Sequence, residues 1–248
     1  MAINDAVPGV DIAIDVNDQP LQEHIEADFE EEAKTVTRCV EAKSNQNFTV
    51  RIKVDRGTRM KGDGLLFSIY VDGKPVADRI VRAHRIENSS YTRTIDGYSP
   101  SPNVLHRFRF DSLKKASDGK IFDQEVALVK KISTIEVFVS DRNTQRKRKK
   151  RTRDTLSGVG ILSEKALKGR ALSHSVAFDA PIATGKRSCW ETRLVDENEP
   201  FSAKMVFKYQ SLESLKSELI ISRTPSSPPI EEKDHLTVEE IRELQRQH

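Results

Sequence analysis

Short stretches of period two dominate the hydrophobic pattern of this chain. Val10, Ile12, Ile14 and Val16 alternate with Asp11, Ala13 and Asp15, and Phe48, Val50, Ile52 and Val54 alternate with Thr49, Arg51, Lys53 and Asp55. Successive side chains on a strand point to opposite sides of a sheet, so this period predicts half-buried β-strands. Ile135, Val137 and Val139 predict a strand over residues 134–140, and the β-branched stretch 34–42 predicts another. Strands are also expected over 89–95 and 104–110. In the latter, Val104, His106, Phe108 and Phe110 fall on the expected core face, opposite Leu105, Arg107 and Arg109. Residues 65–71 and 75–82 flank Asp72-Gly73, a pair that takes positive φ at little cost, so a tight hairpin is expected. Residues 188–195 and 201–210 are expected to form a second hairpin across 196–200.

Helical signals are few. Ser163 stands where it would cap a short helix over Glu164–Leu167, and Ser211 where it would cap one bearing Leu212 and Leu215. The segment TPSSPP at 224–229 reads as a linker that cannot continue regular structure. Beyond it, Thr237 and Glu240 have capping-box spacing, and Leu236 and Ile241 have the spacing of a hydrophobic staple. An amphipathic helix is therefore expected over 238–247, with Val238, Ile241 and Leu244 on one stripe. Such a short helix is marginal alone, so it is expected to dock on the body or on a protein partner. At least seven short strands with turns between them favour a mainly β fold, an antiparallel β-sandwich-like single domain. It would span residues 1–222 with a basic loop inserted at 142–160. A Pro/Ser linker at 223–235 and a helical tail at 236–248 would follow.

The 248 residues are enough to bury a substantial core. The first residues lack a basic segment followed by an unbroken apolar run, being interrupted at Asp5, Asp11 and Asp15, so export is not expected. No apolar run approaches the roughly 20 residues of a membrane span, and no membrane partner is expected. The two cysteines, Cys39 and Cys189, have no metal-ligand spacing and are expected as reduced thiols, Cys39 in the core. A disulfide between them stays open on this reading.

Charge changes the picture. The net charge of +3 hides segregation: residues 1–46 carry −8, residues 47–110 carry +6, and residues 142–153 carry +8 with no acid at all. That last run, RNTQRKRKKRTR, contains Arg142, Arg146, Lys147, Arg148, Lys149, Lys150, Arg151 and Arg153. Like charges repel and the run has no apolar anchor, so a mobile loop is expected. Its KRKKR core, residues 147–151, supports two readings: an import signal read in extended form by an import receptor, or an arm that contacts phosphates. A solvated loop without a partner is the third. A second candidate is a basic sheet face, formed if the strand bearing Arg51 and Lys53 lies beside the strand bearing Arg107 and Arg109.

No catalytic or cofactor constellation emerges. The six histidines are dispersed; Ser173-His174-Ser175 places a hydroxyl beside a base, but no GxSxG elbow accompanies it. Gly158-Val159-Gly160 lacks the further residues of a phosphate loop. Trp190 reads as core or edge packing rather than a ligand platform, and Thr224-Pro225 and Ser227-Pro228 as linker residues open to proline-directed phosphorylation.

The ordered segments GVDIAIDVNDQPLQEH, TVTRCVEAKSNQNFTVRIKV, IYVDGKPVADRIVR, RFRFDSL, ISTIEVFVSDR, KALKGRALSHSVAF and MVFKYQSLESLKSELIISRTPSSP resemble a family of uncharacterised domains found in filamentous fungi. The resemblance spans about residues 8–228. It implies a β-rich body with a C-terminal return, and it implies no activity and no catalytic residues.

The expectation drawn from these residues is a non-enzymatic, cofactor-free protein of the nucleus, or else of the cytoplasm, acting through protein or anionic partners. The alternative is a sequence-nonspecific nucleic-acid-binding β-domain that uses the basic run and a basic sheet face. An enzyme whose site is assembled from distant residues is the third class.

Overall fold

In the computed structural model, residues 2–3, 5–26, 32–116, 129–149, 152, 154–167, 172–185 and 188–222 are described. The alternating segments become strands. In chain order these are β1 (Ala2–Ile3), β2 (Val10–Val16), β3 (Gln19–Pro20), β4 (Glu23–His24), β5 (Thr35–Glu41), β6 (Thr49–Val54), β7 (Gly64–Val71), β8 (Lys74–Arg82) and β9 (Tyr91–Ile95). There follow β10 (Gly97–Tyr98), β11 (Val104–Ser112), β12 (Lys115–Ala116), β13 (Thr134–Lys149), β14 (Leu162–Ser163), β15 (His174–Phe178), β16 (Ile182–Ala183), β17 (Ser188–Leu194) and β18 (Ala203–Gln210). The helical elements described in full are a 3-10 turn at Ala83–Arg85, α1 (Glu164–Leu167) and α2 (Leu212–Ser217). As the sequence predicts, the Ser211 hydroxyl caps α2 by accepting from the Ser214 amide.

The fold is mainly β, as expected, and sandwich-like. One sheet has the order β1-β2-β6-β9, with β3 on β2. The larger sheet runs β4-β5-β18-β13-β7-β8, with β17 also on β13. Between them the inward residues of both sheets form one core: Val10, Ile12, Ile14, Val50 and Ile52 meet Phe67, Ile69, Ile135, Val137 and Phe207, all essentially fully buried. A third sheet, β10-β11-β15, delivers Phe108 and Phe110 into this core. There Phe48 stacks on Phe110 at 4.2 Å between ring centroids, and Phe110 lies 5.1 Å from Tyr209, so the aromatic cluster ties three sheets together. A small satellite core of Leu113, Val129, Ile132, Leu162 and Leu167 lies around the parallel β12–β14 pair.

Asp72-Gly73 forms the expected β7–β8 hairpin, with φ of 49° and 73°. Local turn chemistry decided this feature. Two others follow long-range pairing instead. β17 and β18 are not a hairpin: both lie antiparallel to the same side of the long β13, one after the other. The intervening residues bulge outward, anchored where Asp141 accepts from Ser202 Oγ and the Lys61 amide. β5 pairs parallel to β18, an exception within the larger sheet. The linker 223–235, with Thr224 and Ser227, and the tail 236–248 lie outside the described residues.

Candidate anion-binding ribbon

Residues 142–149 of the expected loop are strand, while Thr152 and residues 154–160 have no regular structure. Arg142, Arg146, Lys147, Arg148 and Lys149 belong to β13, which extends beyond the body as a two-stranded ribbon with β17. The register sets Arg142 opposite Leu194, Lys147 opposite Trp190, Arg148 opposite Cys189 and Lys149 opposite Ser188. Like charges favour a loop only when nothing opposes them. Here β17 supplies both a backbone ladder and Glu191, which lies 2.8 Å from Arg146 Nε and 2.8 Å from Arg148 Nη2. The Arg146 hydrogen bond, helped by the charge of Arg148, holds Glu191 below the usual carboxylate range. Lys150, Arg151 and Arg153 lie outside the described residues.

The base of the ribbon is fixed from the body. Asp63 accepts from the Thr144 amide at 2.7 Å and from its hydroxyl at 2.6 Å, beside a β-bulge between Thr144 and Lys147. Gly62 packs against the backbone of Arg142 so closely that a Cβ there would stand 2.4 Å from its carbonyl oxygen. Arg82, at the end of β8, places its guanidinium carbon 4.2 Å from the Trp190 ring centre, a cation–π contact. Trp190 is thus half-buried edge packing, and its ring also belongs to a charged surface.

The two faces of the ribbon differ. One carries Arg146, Arg148 and Arg193 around a single acid, Glu191, which pairs with the first two. The other carries Arg142, Thr144 and Lys147 together with Trp190, Thr192 and Leu194, and Arg82 lies over it. Burial lowers the guanidinium pKa of Arg142 from its ordinary value, opposed by the charge of Asp78. Lys147 is exposed.

The second candidate is the pair of basic strands. β6, with Arg51 and Lys53, pairs with β2 and β9; β11, with Arg107 and Arg109, pairs with β10, β15 and β16. The two basic pairs sit in different sheets, which meet where Asn47, two residues before β6, forms an antiparallel bridge to Arg109. Three of the four cations are also matched by acids. Arg51 meets Asp15 at 2.7 Å, Lys53 meets Asp55 at 2.9 Å, and Arg109 meets Asp179 at 3.0 Å, leaving Arg107 exposed. Asp11 lies beside them, 8 % exposed, and burial raises its pKa; neither of its oxygens has a hydrogen-bond partner among the described residues.

Sequence spacing missed one polar cluster. Ser44, distant in sequence, brings its hydroxyl 3.1 Å from His174 Nε2 and 2.7 Å from the Ser112 hydroxyl. On the other side of the ring, Ser173 Oγ lies 2.9 Å from Nδ1 and accepts from the Ser211 amide. His174 is buried, which lowers its pKa and keeps the ring neutral at neutral pH. These hydroxyls satisfy a buried imidazole at the junction of β11, β15 and α2. His106, expected on the core face, is half-buried, its Nδ1 2.9 Å from the Asp179 carbonyl; Leu105 takes the core position instead. Cys39 is core, with burial raising its thiol to about 11, whereas Cys189 is exposed on the ribbon; both are free thiols.

A cleft of about 250 Å³ lies beside the start of β13, lined by Glu26, Lys130, Ser133, Lys208, Gln210 and Glu218 among others. His174 does not line it. Among the described residues no group of three or more His, Cys, Asp or Glu converges as a metal site, and no helix is long and apolar enough to cross a membrane.

Fold and site together define a β-sandwich-like domain with a projecting basic ribbon. The chain belongs to the family described as domain of unknown function (DUF7918), whose model matches residues 9–224. No curated protein matches it, and no solved structure does.

Proposed function

We propose that this protein is a non-enzymatic interaction module of the nucleus, and that the β13–β17 ribbon is its contact element for an anionic partner. The observation behind this reading is the asymmetry of the ribbon. Glu191 is occupied by Arg146 and Arg148, while Arg142 and Lys147 lie on the opposite face beside Trp190. A paired strand holds its charges in place before a partner arrives, so less ordering entropy is lost on binding than with a free loop. We also propose that residues 147–151 act in nuclear import, that the tail at 236–248 docks a protein partner, and that the chain is a filamentous-fungal member of its family.

The ribbon test is a salt titration of binding to duplex DNA and to heparin, comparing the native protein with a Lys147→Gln, Lys149→Gln variant. Substitution is preferred to deletion because residues 142–149 are a paired strand. Each lost phosphate contact is expected to reduce the log–log salt slope by about one. No binding to either polyanion at low salt, or an unchanged slope in the variant, would overturn the ribbon assignment. Localisation of a fluorescent fusion of the full chain tests the nuclear reading, which a cytoplasmic distribution with the run intact would overturn.

A further inference from the structure

The outer face of the larger sheet continues the Trp190 face of the ribbon. In β13, Ile135, Val137 and Val139 point into the core, so Glu136, Phe138, Ser140 and Arg142 share the opposite face. Arg142 is paired with Gly64, and Gly64 with Arg82, whose guanidinium reaches the Trp190 ring on that same face. The surface therefore runs without interruption from the body of the sheet to the ribbon.

Its composition is unusual for a solvent face. Tyr70, Phe138 and Phe201 form an edge-to-face row, each neighbouring pair of ring centres 5.5 Å apart, and all three are half-buried. Lys204 holds its ammonium 5.0 Å from the Phe138 ring centre, as Arg82 does over Trp190 at 4.2 Å. The acids beside them are engaged: Glu136 meets Lys204 at 2.6 Å, and Asp78 accepts from Ser68 at 2.9 Å. Rings and cations thus lie in contact at two places on this face, at Phe138 and at Trp190.

Resting on the anionic-partner reading above, we infer that this face is a platform for single-stranded nucleic acid. Duplexes present phosphates and groove edges but keep their base faces stacked inside. Unpaired bases can lie on aromatic rings or on a guanidinium plane while nearby cations meet the backbone. The Arg82–Trp190 stack, with Lys147 across the strand from Trp190, combines all three elements within one patch.

Trp190 is the only tryptophan in the chain, so its fluorescence reports directly on this patch. The experiment titrates the full chain with oligo(dT), oligo(rU) and a duplex of equal length, following Trp190 emission and the anisotropy of labelled strands. Single strands are expected to bind more tightly than the duplex and to quench Trp190. Trp190→Ala and Phe201→Ala, each checked for folding by circular dichroism, are expected to weaken single-strand binding roughly ten- to hundred-fold, the scale of one lost base stack. Phe201→Tyr, which keeps the ring, should restore most of the affinity. Equal affinity for duplex and single strands, with no effect of either alanine variant, would overturn the platform and leave the anionic ribbon standing. Absence of binding to every probe at low salt would overturn both. Weaker binding in Lys147→Gln alone, with the aromatic variants unchanged, would also overturn the platform.

Discussion

The hydroxyl of Tyr209 donates to Asp72 Oδ1 at 2.5 Å inside the core, joining the last strand of the larger sheet to the tip of the β7–β8 hairpin. The same carboxylate accepts from the Ser133 amide at 2.9 Å and from the Val176 amide at 2.8 Å. One turn residue therefore fastens the start of β13, the middle of β15 and the end of β18. Tyr209→Phe removes one of three donors from a buried carboxyl and is expected to destabilise by roughly 1.5–3 kcal/mol. Asp72→Asn keeps the turn, because Asn tolerates positive φ, but its amide opposes one of the backbone N–H groups, and a similar loss of about 1–3 kcal/mol is expected. Urea midpoints at constant m-value check both.

The pH dependence follows from the same group. Burial raises the Asp72 carboxyl to about 6, against the hydrogen bonds from Tyr209, Val176 and Ser133. Between pH 4 and 6 the folded state therefore holds a proton that the unfolded state has released, so this group's contribution declines as pH rises through that window. The scale is roughly 2–3 kcal/mol. His174 acts in the opposite direction, since burial lowers its pKa and folding is favoured as pH rises towards 6.5. Wild type minus Asp72→Asn isolates the carboxyl: the difference in unfolding free energy should shift against the wild type from pH 4 to 7. A flat difference would show that the three donors offset burial completely.

Gly62→Ala tests the base of the ribbon. Its Cβ would meet the Arg142 carbonyl oxygen at 2.4 Å and the carbonyl carbon at 2.8 Å, and backbone cannot move aside as a side chain can. A loss of about 1–3 kcal/mol is expected, with altered Trp190 emission as the ribbon shifts. Unchanged emission and stability would mean that the ribbon is not held there.

Asp63→Ala removes both acceptors of Thr144 at the bulge. Amide hydrogen exchange is expected to speed up in the ribbon ladder, at Arg146 to Arg148, while the ladder between β13 and β18 stays protected. Uniform acceleration would instead indicate global destabilisation.

Phe48→Ala should be among the most damaging single changes, at roughly 3–5 kcal/mol, because the ring stacks on Phe108 and Phe110 where three sheets meet. Thermal unfolding measures it.

Local information alone determined a good part of this molecule. The alternation in β2 and β6 placed Ile12 and Ile52 in the core, Asp72-Gly73 set a hairpin register, and Ser211 capped α2; each depends on a few neighbouring residues. Segregation of charge also marked residues 142–153 as the surface element of interest. Tertiary structure decided what that element is. Repulsion within the run is local, but the ladder with β17 and the acid at Glu191 come from residues some forty positions later, beyond the reach of any local rule. Strand order is likewise a long-range property, which is why β6 with Arg51 and β11 with Arg109 fall in different sheets and why β17 and β18 both lie along β13. The contacts of Tyr209 with Asp72 and of Ser44 with His174 join residues more than a hundred positions apart, and only the packing of the sheets brings them together.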